Sequence, residues 1–295
     1  MAPPIVRGTA AWKYFGDFRD GLLAGQVLVL QVAHPVVAAG VRDHSNYTSD
    51  PWTRLMRTGA SLSIYVYGGT AGARVEADRL RSLHRTFTGV SGGRRYSALN
   101  PAAYAWVHAT LVKVPVDAQR FFGRPLSTSE LDEYYAQMRA VGRMLGVREQ
   151  DLPPDWAAFE RYYDAMVADF TLNPTITALF ETIRTVDKPV SWLPDSWWRL
   201  HARAQMFLLR ATLPPELRTR LGLQWTADDQ RRFTRFARWV RLLCLPIPAG
   251  LRTAHMRWIG KLNVWFRAHP GAYRLLIRHD NGPGARPETH LSQRK

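Results

Sequence analysis

Helical periodicity, interrupted at prolines, is the feature that most limits what this chain can fold into. Apolar residues recur at three- and four-residue spacings along most of the sequence, and strand-like alternation is scarce outside Ser61 to Tyr67. The first spacing marks one face of an α-helix. Proline closes such a segment by clashing with the preceding turn, yet costs nothing at a first helical position. A first helix is therefore expected from about Phe18 to Ala33, stopped by Pro35. A second starts at Asp50 as cap with Pro51 behind it, and ends by Gly68 and Gly69. A third runs from about Ala73 to Phe87 and ends at Gly89, with apolar Leu80, Leu83 and Phe87 sharing a face with His84 near its edge. The loop SGGRRYS reads as a turn, and Asn100 with Pro101 opens a fourth helix through about Val114. Further helices are expected at 129–145 with Ser129 as cap, 155–170, 174–186, 195–212, 226–243 and 249–267. Thr226 and Asp229 supply a capping box for the helix at 226–243, with Asp in place of the usual Glu or Gln. LPPD at 152–155 and LPPE at 213–216 are corners. No internal repeat is visible, so the expectation is an all-α chain: one helical domain over 1–278 and a polar, Gly/Pro-rich flexible tail over 279–295.

With 295 residues, 46% of them apolar and 12% aromatic, the chain can bury one sizeable core. Its formal charge of +16 admits three kinds of partner: nucleic acid, an anionic membrane surface or an acidic ligand. The basic residues are mostly Arg and are spread between aromatics, as in RRFTRFARWVR at 231–241. This is a diffuse field and only weakly a nucleic-acid footprint, and nucleic acid ranks last. Trp192, Trp197, Trp198, Trp239, Trp258 and Trp265 among basic residues suit peripheral contact with a membrane. The lone Cys244 excludes an intramolecular disulfide framework and a Cys-rich zinc site, and is expected as a buried thiol. MAPPIVRGTAAWKYF lacks a signal peptide's basic start and apolar run, and the apolar stretch Val27 to Val41 is broken by Gln31, His34 and Pro35. A cytoplasmic protein is expected.

No HExxH, GxSxG or phosphate-cradling glycine loop occurs in the sequence, which removes the common zinc-protease, α/β-hydrolase and nucleotide readings. Nine histidines invite a metal or haem reading. His279 and His290 lie in the tail, and His201, His255 and His269 have no partner at ligand spacing, which leaves His34, His44, His84 and His108. Each has a structural alternative. His34 before Pro35 can hydrogen-bond a helix end, His44 can cap the turn before Asp50, and His108 can be a satisfied core histidine between Trp106 and Leu111.

Three segments in the N-terminal half, taken together, carry a resemblance: AHPVVAAGVRDHSNYTSDPWTRLMRTGASLSIYVYG at 33–68, LHRTFTGV at 83–90 and YSALNPAAYAWVHATLVKV at 96–114. In order and joint presence they resemble the family of rubber oxygenases (latex-clearing proteins) and the endoplasmic-reticulum-bound oxygenase of mycophenolic acid biosynthesis. LPPELRTRLGL at 213–223 and LPIPAGLR at 245–252 extend the likeness. The resemblance implies an all-helical fold with a globin-like core around haem b, with His84 as iron ligand. It also implies Arg54 and Thr58, four residues apart on one helix face, in the same pocket. His34 and His108 are further candidates for cofactor contact, and cationic side chains such as Arg54 would meet the propionates. Where the rubber oxygenase carries a Lys beside its Thr this chain has Arg57, which stays protonated and cannot ligate iron. The acidic residue proposed for the rubber enzyme has no clear counterpart; Asp43 is nearby only in sequence. The implied activity is oxygen transfer from dioxygen to a lipophilic small molecule. The alternatives are a haem-free protein that binds a hydrophobic ligand or rests on a membrane surface, and a buried Arg54–Thr58 pair that only braces two helices.

Overall fold

The structure is a computed structural model that describes residues 5–45, 51–185, 187–188 and 192–268, of which 51–54, 56, 263, 264 and 266–268 are described in backbone only. The expected tail and the Asp50 cap lie outside these residues.

The fold is all-α. A short α1 (Ala10–Tyr14) leads through a tight 3₁₀ segment at Phe18–Leu23 into α2 (Ala24–Ala33) and α3 (Pro35–His44). Then come α4 (Pro51–Tyr67), α5 (Gly69–Arg85), a small hairpin of β1 (Thr88–Ser91) and β2 (Arg94–Ser97), and α6 (Pro101–Phe122). The remainder is α7 (Thr128–Leu145), α8 (Trp156–Ala168), α9 (Pro174–Thr185), α10 (Asp195–Thr212), α11 (Pro215–Arg220), α12 (Ala227–Cys244), α13 (Ala249–Arg252) and α14 (Ala254–Ala268).

The longest of these, α6, is the spine. Its buried positions include Trp106, Ala109, Val112, Val116 and Phe122, a spacing that puts one broad stripe into the core and part of the rest against α12. Trp106 and Tyr134 are fully buried, and their polar atoms are matched: the indole N–H donates to the Leu30 carbonyl at 2.7 Å and the Tyr134 hydroxyl to that of Val112 at 3.0 Å. Asn100 caps the helix by accepting the Ala103 N–H. Elsewhere the capping box at Thr226 and Asp229 forms as expected, and Cys244 is buried.

Several boundaries differ from expectation for physical reasons. Pro35 ends one helix and opens another: the chain bends by 105° there, with Pro35 as first residue of α3 and the His34 Nδ1 accepting the Val36 N–H as its cap. α6 does not stop at Val114 but continues through Pro115. An interior proline removes one backbone hydrogen bond at about 3 kcal/mol, a cost that burial of Val116, Ala118 and Phe122 beyond it offsets. The cap of α7 is Ser127, not Ser129, because Glu130 closes its box. The strand-like alternation at Ser61 to Tyr67 lies inside α4. The expected last helix is divided at Thr253, and Leu83 points outward at 42% exposure rather than into the core. SGGRRYS holds a turn, but strands flank it: Ser91 pairs with Arg94 across Gly92 and Gly93, both at positive φ, the conformation a two-residue hairpin turn of this twist requires.

The long contact between α4 and α14 depends on a close approach at Gly260, where a Cβ would sit 3.3 Å from the Ser63 carbonyl oxygen. At the other end a buried pair, Asp17 and Arg19, is extended by Arg252 at 2.8 Å and by the Phe122 carbonyl, so the N-terminal turn, α6 and α13 are tied together. No single described helix is long and apolar enough to cross a membrane.

Trp106→Ala should lower unfolding free energy by about 3–5 kcal/mol, and Ser127→Ala by about 1 kcal/mol. Urea unfolding followed by circular dichroism tests both; a Trp106→Ala loss below that of Ser127→Ala would show that α6 is not the spine.

Candidate functional site

The buried face of α5 is built from Ala73, Glu76, Ala77 and Leu80, with His84 on the same stripe at the helix's last turn. At about 100° per residue these five positions fall within one third of the helix circumference. Glu76 is fully buried; the Ser61 hydroxyl of α4 donates to it at 2.6 Å, and Arg79 pairs with it at 2.6 Å. Tyr65 of α4 is buried close by, and burial raises its hydroxyl to about 12.

His84 is half-buried. Its ring meets Tyr104 of α6 edge-on, with centroids 5.7 Å apart, and Phe87 at 5.9 Å. Its Nδ1 is buried with no hydrogen-bond partner among the described residues, and the same is true of the Tyr104 hydroxyl. Two buried polar atoms without partners on rings in contact are unusual, since buried groups are normally matched. A helix C-terminus favours the protonated imidazole, but burial, aided by the charge of Arg79, pushes the His84 pKa below its ordinary value. The imidazole is therefore neutral at pH 7, with a lone pair to offer. Burial raises the Tyr104 hydroxyl, which stays protonated.

The hairpin fixes this corner. His44 stacks on Phe87 with centroids 4.9 Å apart, and its Nε2 lies 3.1 Å from the Thr88 carbonyl. That carbonyl contact is its described role; the turn before Asp50, which it was expected to cap, lies outside the described residues. Tyr96 donates to Asp43 at 2.6 Å, and Arg42 pairs with the same carboxylate. Phe87 is thus held between His44 and His84.

The other expected site residues are placed as follows. Arg57 and Thr58 are exposed on α4, and the Arg54 side chain lies outside the described residues. His34 caps α3 through Nδ1, which in the neutral ring leaves an N–H, not a lone pair, on Nε2. His108 is fully enclosed, bonded to the Met138 backbone and lowered to about 4 by burial. It lines a void of about 10 Å³ with Tyr135, Leu152 and Phe159, room for one water at most. No described ring contact or hydrogen bond links His34 or His108 to His84. Among the described residues no group of three or more His, Cys, Asp or Glu could hold a bare metal ion. Tyr104, whose ring meets His84, and the buried Glu76, two helical turns before it on α5, were not singled out from the sequence. Glu76 carried a signal, a carboxylate on the apolar stripe of an amphipathic helix; Tyr104 carried none, because its role arises from how α6 meets α5.

Residues 12–242 match the family described as ER-bound oxygenase mpaB/B'/rubber oxygenase, catalytic domain. The chain belongs to this family of oxygenases. It is also similar to two uncharacterised mycobacterial proteins, one from Mycobacterium bovis and one from Mycobacterium tuberculosis, each 30% identical over 263 residues, covering 85% of this chain and 98% of the relative. No solved structure matches the chain significantly.

Neutral His108 has a folded pKa of about 4 against an ordinary 6.5, so protons bind the unfolded chain more readily. Its contribution to stability is complete above pH 6.5 and is lost as pH falls towards 4. Between about pH 7 and pH 5 this amounts to roughly 2 kcal/mol. His108→Gln should flatten the pH dependence of unfolding by that amount; an unchanged slope would show that His108 is not buried neutral.

Proposed function

We propose that this protein is a haem b-dependent oxygenase in which His84 would hold the iron and a lipophilic small molecule is the substrate. The observation that carries this reading is the imidazole of His84: mostly buried, held neutral, with an unmatched Nδ1 between two aromatic rings. An iron already held by a porphyrin needs only one or two protein ligands, so a single unbonded histidine fits haem chemistry where a bare metal would need a cluster. Membership of an oxygenase family supports the same reading.

In this reading a globin-like arrangement of α4, α5 and α6 forms the pocket, and haem when bound supplies the redox-active iron that activates dioxygen. The protein's part is to hold and exclude. Burial keeps the proton off His84, so that ligation does not compete with protonation at neutral pH. Phe87 and Tyr104 shield the ring from water. Arg54 would meet the propionates and Thr58, one turn further along α4, would contact the same pocket, while Arg57, where the rubber oxygenase carries a Lys, has no lone pair to offer an iron. Apolar burial of the macrocycle would contribute most of its affinity.

The purified protein, expressed with haem supply, should give near-stoichiometric haem b in a pyridine haemochrome assay, with dioxygen uptake on a suitable lipophilic substrate. His84→Ala should lose at least about 90% of the haem, and His84→Gly should regain a Soret band with added imidazole. A colourless wild type that cannot be loaded, or a His84→Ala protein that keeps its haem and spectrum, would refute the assignment.

A further inference from the structure

α12 carries two apolar stripes. Phe233, Ala237, Val240 and Cys244 face the interior. Phe236, Trp239 and Leu243 repeat at the same helical spacing about a quarter turn round the helix; Phe236 borders the core with its ring edge-on to Phe122, while Trp239, 65% exposed, and Leu243, 68% exposed, face out. Past the corner after α12, Leu245, 76% exposed, and Leu251 on α13 are also apolar and exposed. Trp258, 66% exposed, and Leu262 repeat the pattern on α14. A solvated helix has no use for a second apolar stripe, and large exposed apolar patches mark contact surfaces.

The charges around it are of one sign. From Gln230 to Ala268 the sequence contains Arg231, Arg232, Arg235, Arg238, Arg241, Arg252, Arg257, Lys261 and Arg267, nine cations, and not one Asp or Glu. More than half of the chain's net +16 thus sits in this stretch. Arg235, Arg238 and Lys261 are exposed beside the apolar stripes, whereas Arg231 and Arg232 pair with Asp228 at the start of α12 and Arg252 with Asp17.

We propose that the outward face of α12, α13 and α14 docks this protein onto an anionic phospholipid bilayer, with Trp239, Leu243, Leu245 and Trp258 entering the interfacial layer and the arginines meeting phosphates. Charge decides among the occupants. A second copy would bring the same predominantly basic face in a symmetric contact and meet like charge. The chain's own 269–295, with five Arg or Lys against two Asp or Glu, is cationic too. Nucleic acid would match the charge but makes little use of exposed leucines, which do not stack on bases as aromatic side chains do. A bilayer uses every element: Trp at the headgroup level, Leu just beneath, and basic side chains on phosphate. This docking does not depend on haem binding at His84.

Co-sedimentation of the full-length protein with vesicles tests it. With vesicles of phosphatidylcholine containing one quarter phosphatidylglycerol the protein should pellet, and with pure phosphatidylcholine bind at least tenfold more weakly. Arg235→Gln with Arg238→Gln should weaken binding roughly 30-fold, from about 1 kcal/mol per basic residue at an anionic surface. Trp239→Ser with Leu243→Ser should weaken it by at least about tenfold, with the circular dichroism spectrum unchanged because both residues are exposed. Arg161→Gln with Arg184→Gln removes the same charge from α8 and α9 and should leave binding within about twofold. The proposal is overturned if the wild type stays in the supernatant with anionic vesicles, if the two arginine pairs weaken binding equally, if the serine pair binds like the wild type, or if that pair instead breaks up a dimer of protein that does not bind vesicles.

Discussion

The hydrogen bond from the Trp106 indole to the Leu30 carbonyl is the contact on which the arrangement of this protein most depends. Pro35 has no N–H to continue α2, so the last carbonyls of that helix must find partners elsewhere. They do: Leu30 takes the Trp106 indole, Gln31 the His34 N–H and Val32 the Asn173 side chain. One helix end thereby fixes the position of α6 and the start of α9, while His34 turns the chain into α3. With α6 anchored at Trp106, Tyr104 is carried to the His84 ring two residues earlier on the same helix, and α3 brings His44 and Asp43 to the hairpin.

The chemistry at His84 results from two opposed effects. The end of α5 favours a cation, and the aromatic enclosure disfavours one; enclosure wins, and the imidazole is neutral. Its Nδ1 is not committed to a backbone carbonyl or a carboxylate, unlike the ring of His108, which is bonded to the Met138 backbone. His34 uses the corresponding nitrogen to cap α3. Of the histidines first considered, His84 combines burial, neutrality and an unbonded nitrogen, in a chain that belongs to an oxygenase family. A second acid–base feature, the buried Glu76 between Ser61 and Arg79, holds α4 to α5 two helical turns before His84.

Much of the helical plan could be read from the sequence because its signals are local. α10 occupies the expected 195–212, Pro51, Pro101 and Pro174 open their helices, and Thr226 with Asp229 caps α12. What escaped were the places where tertiary packing overrides a local rule. Pro115 should end a helix, yet packing of Phe122 against Phe233 on the far side keeps α6 continuous. Pro35 does end one, but the same residue starts α3 once His34 caps it. The hairpin strands are four residues long and mostly polar, too short for alternation to register, so only their glycine turn was visible. The site divides in the same way. His84 came from resemblance, whereas its neutrality and its Tyr104 neighbour depend on how α5 meets α6, which no spacing in the sequence encodes.

The most direct test of the central claim, that His84 is the iron's protein ligand, is electron–nuclear double resonance on the ferric, haem-loaded protein grown with isotope-labelled histidine. Coupling from one histidine nitrogen should appear in the wild type, persist in His34→Gln and His108→Gln, and vanish in His84→Gly supplied with unlabelled imidazole. Coupling that survives in His84→Gly, or disappears in His108→Gln with the fold intact, would contradict it.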